Sequence, residues 1–183
     1  MMRSIGAVCL AALLSGAVLA ADAELDGLKS KMPDGWKVEE ATNKMRVLQA
    51  KLAKADGDAE DADLVVFYFG KGGGGGVKEN FKRWQDQFEA PEGKKIDDVS
   101  KTSEFKINGD KVKVDYLSIE GGTYKFKAQP FNPNSPVTEK KDYRLLGAIL
   151  DTENGPFFIR VTGPAKSVEK HRKSFEEWVK AFK

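Results

Sequence analysis

The spacing of apolar and polar positions along this chain separates its strands from its helices. The densest apolar stretch is residues 143–164, YRLLGAILDTENGPFFIRVTGP. It holds two runs: Leu145, Leu146, Ala148, Ile149 and Leu150, then Phe157, Phe158, Ile159 and Val161. The polar, Gly-bearing segment 151–155 between them reads as a hairpin connection of four or five residues. Runs that are apolar on both faces belong in the middle of a sheet covered on both sides. The rest of the chain must then supply edge strands and covering helices.

Residues 64–69, LVVFYF, are β-branched and aromatic throughout and predict a strand. In residues 43–53, Leu48, Ala50 and Leu52 alternate with Val47, Gln49 and Lys51. That fits a strand with one buried face, although Ala, Leu, Lys and Gln also form helices well. Residues 103–107 and 111–119 flank Asn108-Gly109, a strong hairpin signal, with Phe105, Ile107, Val112, Val114 and Tyr116 on one face. Gly121-Gly122 then turns the chain into a further short strand at 123–127. Near the start, Leu25 and Leu28 are spaced as on one helical turn. Asp34-Gly35 reads as a turn pair before Trp36, which enters the core, and Val38 starts a short strand. The helical period appears over 77–90, where Val77, Phe81, Trp84 and Phe88 make one stripe and Pro91 and Gly93 end it. It returns over 167–182, with Ser167 as N-cap, Val168, Phe175, Val179 and Phe182 as the stripe and Trp178 beside it. Residues 128–142 carry Pro130, Pro133 and Pro136 and no period, which reads as a long loop. Strands, one helix, strands and a terminal helix predict an α+β fold, a mostly antiparallel sheet flanked by helices.

Composition changes this picture at the N-terminus. Met1-Met2-Arg3 is a basic lead, residues 5–20 are apolar, and small residues follow through Ala20 and Ala23. These features predict a signal peptide over 1–20, cut after Ala20 or up to three residues later, and a single mature domain over 24–183. The protein is then periplasmic or secreted. The apolar run is short for a membrane span and is interrupted by Ser15 and Gly16, although an uncleaved anchor is the alternative reading. The single cysteine, Cys9, lies inside this segment, so the mature domain has no disulfide, no Cys nucleophile and no Cys-bound metal. Lys plus Arg number 30 against 28 acids in 183 residues, a net charge of +2. That balance gives no electrostatic reason to expect nucleic acid as a partner.

Candidate chemistry is sparse. Gly70, Gly72 and Gly75 satisfy the dinucleotide-binding glycine spacing between a strand and a helix, but a run of five glycines satisfies almost any spacing. No Gly-Lys-Ser/Thr of a phosphate loop follows. The run reads as a connector, or as an anion seat at the helix N-terminus. The acidic segment 56–63 invites calcium, yet Asp61 stands where the EF-hand pattern needs Gly, and Phe67 where it needs a bidentate acid. A solvated loop is the simpler reading. His171, the one histidine, borders the last helical stripe beside Lys170, Arg172 and Lys173, with no nucleophile in sight. A three-histidine zinc site is therefore excluded. Asp115 and Asp142 are the nearest candidates for acid-base carboxylates. Trp36, Trp84 and Trp178 fall at core positions. Tyr124, Phe126 and Phe131, in or beside the Pro-rich loop, are better placed for an exposed binding patch, together with Gly72, Gly73 and Gly74.

The opening Met32-Pro33-Asp34-Gly35-Trp36-Lys37 resembles the P-x-G-W entry of PsbP-like domains. The helix with Phe81 and Trp84, the Gly147-bearing hairpin and a closing helix ending in Phe182 extend the resemblance over most of the mature chain. Val65-Val66-Phe67-Tyr68-Phe69-Gly70 and Arg144-Leu145-Leu146-Gly147-Ala148 are similar to strings in uncharacterised exported bacterial proteins. The resemblance implies an antiparallel sheet between helices, an α/β/α sandwich, and a non-catalytic binding or assembly role. The expectation is an exported, non-enzymatic binding or accessory domain with no cofactor, acting on another envelope protein or a small ligand. No membrane span is expected after signal cleavage. A small envelope hydrolase using carboxylates is the alternative.

Overall fold

The computed structural model describes residues 22–128, 132 and 134–183. The segment 1–20 read as a signal peptide, the cleavage site expected after Ala20, Cys9 and Phe131 lie outside the described residues.

Among the described residues the fold is α+β, a mostly antiparallel sheet with two α-helices. Two short strands, β1 (Asp22–Leu25) and β2 (Leu28–Lys31), form a separate hairpin. Eight strands make the main sheet: β3 (Trp36–Glu39), β4 (Arg46–Leu52), β5 (Ala62–Tyr68), β6 (Phe88–Glu89), β7 (Ser100–Ile107), β8 (Val112–Lys127), β9 (Val137–Thr152) and β10 (Gly155–Pro164). Their order is β3-β4-β5-β10-β9-β8-β6, with β7 also on β8, and every pair is antiparallel. The hairpin β9–β10 therefore lies at the centre, as its two-sided apolar runs require.

Alternation along the central strands builds two cores. Leu146, Ala148, Leu150, Ile159 and Val161 face α2 (Ala165–Lys180) and the β1–β2 hairpin. Leu145, Ile149, Leu117, Ile119 and Phe158 face the other way, toward α1 (Val77–Gln85). In α2, Val168, Phe175, Trp178 and Val179 are buried, with Phe182 beyond its end, as the stripe predicts. The six-membered ring of Trp84 in α1 lies against Gly147, where a Cβ would meet it. A side chain at that position would lift the helix off the sheet. No helix among the described residues is long and apolar enough to cross a membrane.

Several local expectations change. Leu25 and Leu28 sit opposite each other in a hairpin rather than on a helical turn. Asp26 and Gly27 take left-handed backbone (φ 52° and 77°), the conformation a two-residue turn needs. The β9–β10 connection is likewise two residues, Glu153 and Asn154, shorter than expected, because Thr152 and Gly155 still pair. Helix α1 stops at Gln85, before Phe88. The Gln87 carbonyl accepts the Lys125 N–H at 2.8 Å and draws Phe88 into β6 opposite Tyr124, so strand pairing overrides the helical period. Gly121-Gly122 does not end a strand; β8 runs on through a register irregularity to Lys127. The loop expected over 128–142 ends early, since β9 begins at Val137 and residues 137–140 pair with β8. Ser167 is not the N-cap of α2. Pro164 is, and Ser167 occupies the third helical position, where its N–H and hydroxyl donate to Asp58 at 2.8 and 2.6 Å.

Candidate functional site

Helix α1 is nine residues long, and the face it covers is wider than it is. It packs over β8, β9 and, at Phe158, one end of β10, and leaves the same face of β4, of residues 63–65 in β5 and of residues 160–162 in β10 less covered. A cleft of about 260 Å³ lies there. Its floor follows the strand register. Gln49, Val65 and Arg160 are successive cross-strand neighbours on β4, β5 and β10, and Asp63 and Thr162 are the next pair along. Arg46 enters just past a bulge in β4, the irregularity between Arg46 and Leu48. Glu39 stands at the β3 rim. The opposite wall is the long β8–β9 hairpin, which contributes Tyr124, Phe126, Lys140 and Tyr143.

The charged groups of the cleft differ in how far they are satisfied. Lys140 is committed: its ammonium donates to both oxygens of Glu60 at 2.8 and 2.9 Å and lies over the rings of Phe126 and Tyr143. The Tyr143 hydroxyl donates to the same carboxylate. These bonds, from Lys140 first and Tyr143 second, hold the Glu60 carboxyl below its usual range. Burial, reinforced by Glu60, pushes the Tyr143 phenol up. Asp63 is paired with Lys51 at 2.5 Å. The two arginines are different. Arg160 donates to the Gln87 side chain at 2.8 Å, and Arg46 donates to Gln49 at 3.2 Å and lies 5.6 Å from the centre of the Phe67 ring. Neither has a carboxylate within ion-pair distance among the described residues. Gln49, only 8% exposed, fixes this end by also donating to Glu39 at 3.3 Å.

Four buried side-chain polar atoms among the described residues lack a protein partner, and two of them, Arg46 Nε and Thr162 Oγ1, belong to this cleft. Buried polar groups are normally paired, and leaving one unpaired costs about 1–3 kcal/mol. Chemically the arrangement offers hydrogen-bond donors and positive charge beside aromatic surface. It offers no nucleophile with an adjacent base.

The residues singled out from sequence divide between this cleft and other places. Tyr124 and Phe126 line it, Tyr124 largely buried against Phe88 and Tyr143, and Phe126 38% exposed. Gly72, Gly73 and Gly74 do not line it. They belong to a structural wrap: Gly74 rests on Phe158 and Phe69, Asn80 donates to the carbonyls of Gly74 and Gly76 at 2.9 Å, and Glu79 accepts the Gly76 N–H at 2.5 Å. That carboxylate occupies the helix N-terminus where an anion would sit. The acidic segment is divided among separate tasks. Asp58 caps α2, Glu60 holds Lys140, Asp61 accepts the Lys54 N–H at 3.0 Å, and Asp63 pairs with Lys51. No group of three or more metal-ligating side chains converges among the described residues. His171 is buried between Trp36, whose indole donates to Nδ1 at 3.3 Å, and the Ala53 carbonyl, 2.8 Å from Nε2, a structural bridge rather than a helix border. Asp115 pairs with Lys113 at 3.1 Å and sits opposite Ile149, well along β9 from Asp142. Sequence reading missed Arg46, Gln49, Arg160 and Thr162. The signal was present in β10, where Arg160 interrupts the run Phe157, Phe158, Ile159, Val161 in a central strand.

No family model matches the chain. No curated protein matches it. Among solved structures it is similar to a Pseudomonas aeruginosa protein of unknown function, at 11% identity with a TM-score of 0.45, over 87% of this chain and 93% of that one.

Proposed function

We propose that the protein is an exported, non-enzymatic binding or accessory domain and that the cleft beside α1 is its binding surface. The observation that carries this reading is the pair of buried polar atoms, Arg46 Nε and Thr162 Oγ1, left without a protein partner in the same concave site. A site that is costly to keep in the free protein is explained when a ligand completes it. Among the described residues, the carboxylates that are clearly shifted are all shifted downward. Asp26 is held below its usual range by Asn154, Glu60 by Lys140 and Tyr143, and Glu169, against the pull of its burial, by Arg172 and Arg144. A general acid at neutral pH needs the opposite shift.

Export rests on the N-terminal pattern of residues 1–20. Cleavage after Ala20 leaves β1 whole, with Ala23 and Leu25 buried in the α2 core, whereas cleavage after Ala23 removes half of that strand. We therefore expect the mature chain to begin at Ala21, and N-terminal sequencing of protein from source cells checks it. The Met32–Trp36 entry and a sheet carrying α1 on one face and α2 on the other support a PsbP-like relationship. A profile grown from the chain's own homologues that never reaches those domains would remove that support.

Photocrosslinking in source cells tests the binding role. A photoreactive residue at Phe126 should yield a discrete adduct, and one at exposed Lys106 on β7 should not. A folded, exported protein that gives no adduct from position 126, or the same adducts from both positions, would overturn the cleft as the binding surface.

A further inference from the structure

The cleft's chemistry also narrows the class of ligand, an inference that rests on the cleft being the binding site. We propose that it takes a small organic anion, a carboxylate or phosphate monoester with a flat apolar body, whose charged group sits between Arg46 and Arg160. A guanidinium presents its N–H donors as a planar fork that matches both of these anions. Here two such groups line one cleft, and neither is within ion-pair distance of a carboxylate, although the other cation, Lys140, has one in Glu60. Each guanidinium is held by an amide side chain, Arg46 by Gln49 and Arg160 by Gln87, which orients the group without cancelling its charge.

Thr162 supplies the second observation. It is 7% exposed, lies on the floor beside Arg160's strand neighbours, and its hydroxyl has no protein partner. Thr162 faces Asp63 while Arg46 faces Phe67, four residues away along β5, so this hydroxyl marks the far end of the floor and the anion's charge is met by the two guanidinium groups. The volume sets the size. At about 260 Å³ the cleft is just under the range of pockets for drug-sized ligands, which starts near 300 Å³, so the ligand is small. The body follows from the wall, where Phe126 and the edges of Tyr124 and Tyr143 offer flat apolar surface. Exposed Glu39 at the rim repels additional negative charge, so a single anionic group fits and a polyanion does not.

The test is calorimetric titration of the mature protein with phenyl phosphate, benzoate, inorganic phosphate and neutral benzyl alcohol. Phenyl phosphate or benzoate should bind, inorganic phosphate more weakly and benzyl alcohol not measurably. Their relative affinities assign the group as phosphate ester or carboxylate. Arg46→Gln and Arg160→Gln should each weaken binding about tenfold or more, and Lys106→Gln, which removes the same charge from β7, should leave it unchanged. Circular dichroism identifies any variant that fails to fold, and Phe126→Ser, on an exposed rim position, then gives an independent loss of the apolar contribution. Equal binding of benzyl alcohol, equal weakening by Lys106→Gln, or no binding of either aromatic anion at millimolar concentration would overturn the assignment. If an adduct still forms at position 126 while these anions fail, the cleft remains the binding surface and only the anion class falls. If both fail, the cleft itself falls.

Discussion

At the scale of single residues, two buried hydroxyls make a useful contrast. Ser30 Oγ donates to the Trp178 carbonyl at 2.9 Å and ties the N-terminal hairpin to α2. Ser30→Ala should lower the stability measured in urea by about 1 kcal/mol, the usual net value of a buried hydrogen bond. Thr162 Oγ1 has no such partner. Thr162→Val keeps the shape and removes an unsatisfied group, so it should be neutral or stabilising by up to about 1 kcal/mol. A loss comparable to that of Ser30→Ala would mean that the hydroxyl is internally bonded and the cleft floor complete. Glu60 carries a pH signature. Its folded pKa lies below its unfolded one, so the ionised group contributes stability at neutral pH that is lost as pH falls through the carboxylate range. Its side chain is 47% exposed, so the contribution is screened and small. Glu60→Gln should lower the melting temperature slightly at pH 7, and the gap to the unmodified protein should close below about pH 4. A gap that widens on acidification would contradict the pairing with Lys140.

At the scale of elements, the acidic loop and α2 depend on one another. Asp58 accepts from both the backbone and the hydroxyl of Ser167, and Ser167 in turn accepts the Ala55 N–H at 2.9 Å. Asp58→Ala should cost about 0.5–2 kcal/mol, the range of a lost helix cap, and should speed amide exchange in the first turn of α2 before its last. Unchanged exchange there would show that the helix start is held by packing alone. The same elements show what was legible in the chain. The central hairpin, β5, the Asn108-Gly109 hairpin and both helical stripes follow from local period and turn chemistry. The end of α1, the length of β9 and the role of Asp58 do not, because each is decided by a partner distant in sequence: Lys125 for Gln87, β8 for residues 137–140, Ser167 for Asp58. The cleft was harder still to read. Tyr124 and Phe126 were visible as aromatics out of place, but Arg46 and Gln49 on β4 and Arg160 and Thr162 on β10 are far apart in sequence and meet only once both strands pair with β5.

At the scale of the whole molecule, one sheet serves two cores, since neighbouring residues of β9 and β10 point into opposite ones. Neither core can melt without removing a wall of the other. Unfolding should therefore be one transition, and the three tryptophans report on it from both sides. Trp36 and Trp178 lie in the α2 core and Trp84 in the α1 core. Trp84→Phe leaves the first two as probes, and the double change Trp36→Phe and Trp178→Phe leaves the third. Denaturation midpoints measured within each variant by fluorescence and by far-ultraviolet dichroism should coincide. A fluorescence change well ahead of the loss of dichroism would reveal separable halves. The alternation of the strands has a further consequence, for inheritance. Positions 65, 160 and 162 of the cleft floor interleave with positions 66, 159 and 161, which build the opposite core. Substitutions can accumulate at the first set without disturbing the second. Descendants of this chain are thus free to exchange one ligand for another while keeping their foundation, and such lineages should drift in a comb, with positions 65, 160 and 162 restless and positions 66, 159 and 161 still.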